Sequence, residues 1–162
     1  MFNDPLTHKM ANFIKEIGIE VIPGKFDEET LIPGIKVAYG KLVVDEDKLK
    51  YPGDLLHEAG HLAVMPAYRR LISYIDVGND PAEEMMAIAW SYAALVKLDL
   101  PPEVVFHPYG YKGDSSSLID SCLQGDCPGL PMLQWLGMSY GKKGALEAGV
   151  SPFPNMIKWL RE

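Results

Sequence analysis

The segment Asp54-Leu55-Leu56-His57-Glu58-Ala59-Gly60-His61-Leu62-Ala63 constrains this chain more than any other stretch. From Leu55 to Ala63, every residue other than the two histidines and the glutamate is apolar or small. Polar groups in such a helix are costly to bury without partners. Residues four apart lie one turn above each other in an α-helix, so His57 and His61 project from one face and can bind one metal ion. Glu58 lies about 100° further round the helix, close enough to reach a water on that ion without ligating it. H-E-x-x-H on a helix therefore suits Zn²⁺ chemistry, in which the metal lowers the pKa of its water towards about 7 and the carboxylate takes the proton as the water attacks a carbonyl. The plainer alternative is a buried helix whose histidines only make hydrogen bonds. Gly60 costs about 1 kcal/mol relative to alanine inside a helix, which predicts that another backbone or a substrate passes close to it.

A catalytic zinc takes three protein ligands and a water. After His61 come Leu62-Ala63-Val64-Met65-Pro66, which excludes the extended H-E-x-x-H-x-x-G-x-x-H arrangement. A second helix opens at Asp80-Pro81 and runs to about Leu98, with Glu83 and Glu84 near its start. Asp80 has the chemistry of an N-cap, Pro81 stands at N1 and Glu83 at N3, the pattern of a capping box, so Glu83 has a local task. Glu84 shares its face with Ala87, Ile88, Ser91, Ala94 and Leu95, a stripe expected to point into the core. A carboxylate opening such a stripe needs a cation, and the expected metal ligands are therefore His57, His61 and Glu84.

The remaining pattern is mixed. Asp4-Pro5 caps a first amphipathic helix that stops at Gly18. Residues 19–22 read as a short strand, and residues 35–44 as a hairpin turning at Gly40-Lys41. After Pro101 an aromatic loop holds His107, Tyr109 and Tyr111; it either packs over the core or offers an imidazole or phenol to an oxyanion opposite the metal, with His107 the candidate. A short helix is expected through Cys122, a buried helical turn over 132–136, and a last helix after Ser151-Pro152. Helices around a small sheet make an α+β fold.

Composition sets the outer limits. The 162 residues are 48% hydrophobic and 23% charged, enough for one core, so a single domain is expected over residues 1–162. A net charge of −7 without a basic run argues against nucleic acid or an anionic membrane as partner. No stretch of 18 apolar residues is present to span a bilayer, and no signal peptide is visible. Cys122 and Cys127 read as ordinary thiols, which fits a cytoplasmic protein.

H-E-x-x-H followed by a glutamate on the next helix resembles the gluzincin arrangement of zinc peptidases. The order of short helix, small sheet, H-E-x-x-H helix and glutamate helix resembles the compact ImmA/IrrE-like bacterial metallopeptidases over roughly residues 6–98. In that family the third-ligand glutamate opens a small-residue pattern that Glu84-Met85-Met86-Ala87-Ile88-Ala89 matches loosely, with Met86 in place of a polar residue. The resemblance implies a zincin-like fold and a zinc-dependent peptidase with Glu58 as general base, acting on a peptide or protein. A non-catalytic module that keeps the metal for structure and recognises a partner peptide is the alternative.

Overall fold

The computed structural model describes residues 1–162. Helix α1 (Pro5–Glu16) starts at the expected cap: the Asp4 carboxylate accepts from the Thr7 N–H at 2.7 Å, and Pro5 opens the first turn. Met10, Phe13 and Ile14 line its buried face. Strand β1 (Val21–Pro23) follows, then β2 (Ile35–Ala38) and β3 (Lys41–Val44) as an antiparallel hairpin with Val37 opposite Leu42. The turn sits one residue earlier than expected. Tyr39 and Gly40 both adopt positive φ, 54° and 83°, the backbone that a two-residue hairpin needs to match strand twist.

A two-residue strand that the sequence pattern did not signal, β4 (Tyr74–Ile75), pairs with β2 and completes a sheet of order β1-β3-β2-β4. Only the β1–β3 pair is parallel. Ile35, Val37, Leu42 and Val44 are buried while Lys36 and Val43 are only half-buried, so one face of the sheet meets the helices.

Helices α2 (Asp54–Val64) and α4 (Pro81–Lys97) fall where expected and pack side by side through the middle of the molecule. Between them lies α3 (Ala67–Ile72), also unforeseen. Gly60 explains the intimacy of the pair. A Cβ there would stand 3.1 Å from the Ala87 carbonyl oxygen, 3.2 Å from the Trp90 ring and 3.3 Å from Ser91 Oγ. The close approach predicted at Gly60 is thus the backbone of α4. At the start of α2, a Cβ on Gly53 would fall 1.7 Å from the Val104 carbonyl oxygen, so this helix end tolerates no side chain against the segment that leads into the aromatic loop.

Beyond α4 the helical part expected at the C-terminal end consists of α5 (Ser115–Gln124), α6 (Leu130–Trp135) and α7 (Lys142–Ala148). Three expectations fail here. Of residues 132–136, expected as a buried turn, only Leu133 is buried, and Trp135 is 84% exposed. No helix follows Ser151-Pro152, because the backbone N–H groups of that segment are used at long range. Phe153 donates to the Tyr140 carbonyl, Ile157 to that of Met138, and Arg161 to that of Ala63. This tail lies across the core and sets Trp159 edge-on against Phe13 and Trp90. Cys122 and Cys127 are not thiols but a disulfide that staples the end of α5 to the turn before α6. Their bonding withdraws the argument from free thiols for a reducing compartment. No helix is long and apolar enough to cross a membrane.

Candidate metal centre

On α2 the residues Leu55, Leu56, Ala59, Leu62 and Ala63 are fully buried, and the helix presents Asp54, His57, Glu58 and His61 along the opposite stripe, spaced i, i+3, i+4, i+7. The two imidazoles stand edge to face with Nε2 atoms 3.1 Å apart. From α4, the Glu84 carboxylate reaches the same point: its Oε2 is 2.8 Å from His61 Nε2 and 3.4 Å from His57 Nε2. Four-coordinate zinc with bonds of roughly 2.0–2.1 Å sets its ligand atoms about 3.3 Å apart. The observed triangle has the size of one face of such a tetrahedron. Two ring nitrogens and a carboxylate oxygen, all able to present lone pairs to one point, form a donor set that fits a divalent transition metal.

Glu58 belongs to the same cluster. Ligand atoms of His57, Glu58 and His61 all lie within 4.8 Å of one another, a group that could hold a metal ion. Two carboxylates therefore flank the histidine pair, and Glu84 makes the tighter triangle. The Glu58 side chain is buried, and burial pushes its carboxyl up to about 7. The His61 imidazole pulls it down, while Asp54, Glu84 and Asp76 add to the rise. Glu84 behaves in the opposite sense. Burial raises it, but hydrogen bonds from His57 and His61 and their charges outweigh that and hold it well below the usual carboxylate range.

The neighbouring glutamate is engaged elsewhere. Asp80 caps α4 as expected, accepting from the Ala82 N–H at 2.8 Å and the Glu83 N–H at 3.3 Å. The Glu83 side chain completes no capping box; it lies buried in a two-pronged ion pair with Arg69 of α3, at 2.5 and 3.0 Å. An arginine on an element that the sequence did not reveal thus takes the carboxylate that seemed to have only a local partner. The stripe expected below Glu84 is buried throughout, from Ala87 and Ile88 to Leu95. Met86 joins the core, whereas Met85 is half-exposed on the far side of α4.

The loop after α4 closes the cleft. His107 Nε2 lies 3.1 Å from Asp54 Oδ1 at the head of α2, and its ring stacks on Tyr51 with centroids 3.9 Å apart. Burial raises the Asp54 carboxyl, against the pull of His107. His107 Nδ1 is buried without a partner. Tyr109, 83% exposed, leans over Tyr51 at the rim. Tyr111 turns inward, its Oη 3.0 Å from His57 Nδ1 and its ring edge-on to the imidazole. Burial pushes its phenol strongly upward, so the group stays neutral. The sequence read this loop either as packing over the core or as facing a substrate oxyanion; that one of its phenols meets a metal-ligand candidate had no signal in local spacing.

Asp54, His57, Glu58, His61, Glu84, His107 and Tyr111 all line a single cleft of about 380 Å³. A larger hollow of about 1000 Å³ lies beyond Met85, between the disulfide turn and α7. Its charged residues Asp126, Lys142, Lys143 and Glu147 are all exposed, and the group able to hold a metal ion lies in the smaller cleft. No protein-family model, curated protein or solved structure matches this chain.

Proposed function

We propose that this chain is a zinc-dependent hydrolase, a peptidase of gluzincin type resembling the ImmA/IrrE-like group on a zincin-like fold, that cleaves a peptide or protein amide. The observation that carries this reading is the meeting of three donors from two helices, His57 Nε2, His61 Nε2 and Glu84 Oε2, at 2.8–3.4 Å from one another beside a buried fourth group, Glu58. His57, His61 and Glu84 would hold the ion. When bound, the ion supplies Lewis acidity to a water and to the carbonyl oxygen. Glu58 would take a proton from the attacking water and return it to the leaving nitrogen. Burial raises this carboxyl to about 7 in the metal-free protein, and a bound cation beside it would draw it down again towards the ionised form that accepts a proton. For His107 to serve the oxyanion, its Nε2 hydrogen must leave Asp54, because Nδ1 is buried.

A structural metal site has no use for an unligated buried carboxylate beside it, which favours catalysis over a module that only recognises a partner peptide. Glu58→Gln separates the two. The variant should retain zinc and lose turnover of a mixed fluorogenic peptide library by about 10²–10⁴-fold relative to the zinc-loaded parent. Loss of the metal in Glu58→Gln would instead make Glu58 a ligand.

A further inference from the structure

We propose that Tyr111 is a positioning residue for the metal centre, fixing the tautomer and ring orientation of His57. This rests on the metal-site reading above. For His57 to turn a lone pair on Nε2 towards His61 and Glu84, its hydrogen must sit on Nδ1, and that N–H needs an acceptor. The only group within reach is Tyr111 Oη at 3.0 Å. A metal-ligating histidine ordinarily donates this hydrogen to a carboxylate, carbonyl or water, which sets ring orientation and ligand basicity. Here a phenol oxygen takes that place, and its ring fixes the plane of the imidazole by an edge contact at 5.6 Å and 88°.

The loop is shaped at a cost to deliver this hydroxyl. Tyr111 and Lys112 both adopt φ of 54°, followed by Gly113 at 85°. Left-handed backbone is uncommon for any side-chain-bearing residue and a clear outlier for a bulky one. Two such residues in succession persist only where the surroundings enforce them. Three contacts do so. Phe106 packs on the Tyr111 ring at 5.3 Å, Ser115 Oγ donates to the His107 carbonyl at 2.7 Å, and His107 pins the loop to Asp54 one helical turn before His57. The loop thus meets α2 twice, at Asp54 and at His57, and the second meeting carries the consequence for the ion.

Tyr111→Phe keeps the ring and removes only the acceptor. Zinc affinity measured by chelator competition should fall about 10–100-fold, while the melting temperature of the metal-free protein drops by only about 2–4 °C, the effect of one lost hydrogen bond. Unaltered affinity in Tyr111→Phe would overturn the proposal. Nitrogen-15 histidine spectra of the zinc-loaded parent give a readout that does not depend on the variant folding. His57 should show a metal-bound Nε2 and a slowly exchanging Nδ1 hydrogen, and a metal-bound Nδ1 would refute the assignment. A parent protein that binds no zinc would defeat the metal-site reading itself, and with it this inference, a result distinct from the other two.

Discussion

Two parts of the molecule build the cleft, and they do so by different means. His57, Glu58, His61 and Glu84 stand on α2 and α4, regular helices locked together at Gly60, where a Cβ would stand within 3.3 Å of Ala87, Trp90 and Ser91. His107 and Tyr111 stand on an irregular loop that reaches the same cleft through one hydrogen bond each. In the first part, helix geometry sets the donor positions before any metal arrives. In the second, single polar contacts hold the groups against unfavourable backbone. The helices should therefore decide whether an ion binds, and the loop how firmly His57 is held and how well the ion is used.

The largest effect should come from breaking the helical part at its interhelical corner. Glu84→Ala should weaken zinc binding by more than about 10²-fold, above the range expected for outer-shell partners. Glu83→Ala should leave zinc affinity intact and cost about 1–3 kcal/mol in denaturant unfolding, because it deprives Arg69 of its partner. Equal loss of zinc in both variants would mean that α4 as a whole, and not the Glu84 oxygen, makes the site.

Perturbing the loop at His107, away from the Tyr111 contact with His57, should act on rate and spare binding. His107→Ala should keep zinc affinity within about threefold and lower hydrolysis by about 10–10³-fold, the range of a lost oxyanion donor. If zinc affinity fell instead and the rate per bound metal held, the loop would belong to the ligand shell.

A smaller effect separates Glu58 from its helical neighbours without any substrate. Its folded-state value of about 7 lies above the ordinary 4.5, so its contribution to stability is complete below pH 4.5 and lost as the pH rises through about 7. The metal-free protein should lose on the order of 3 kcal/mol between pH 5 and pH 8 through this group. Glu58→Gln should remove most of that slope in urea titrations at the two pH values. Glu84 leaves this window alone: its lowered value places its own loss of stability below pH 4.5, on acidification. The same slope in parent and variant would show that Glu58 is ionised as freely as a surface carboxylate.

The difference between the two parts also marks what could be read from the sequence. Spacing within one helix placed His57, Glu58 and His61 on one stripe, because that signal is periodic and local. The core stripe of α4 favoured Glu84 over Glu83 on a misjudged burial, since Glu83 is buried and the Glu84 side chain is 44% exposed at the cleft. The contacts that the sequence hid are all long-range. Arg69 reaches Glu83 from α3, Tyr111 reaches His57 over 54 positions, and Arg161 donates from its backbone to Ala63. Residues 151–161 carry a helix-like opening, Ser151-Pro152, but their hydrogen bonds go to Met138, Tyr140 and Ala63, so tertiary pairing overrides local preference. The disulfide escaped for a related reason. Five positions apart, Cys122 and Cys127 meet only because α5 ends in a left-handed Gly125 that folds the chain back.

If the two helices form a preset site for one zinc ion, elemental analysis of protein purified without added metal should find one equivalent of zinc in the parent and none in His57→Ala. A parent that carries no metal even after saturation with zinc, or that carries iron in its place, would refute the site.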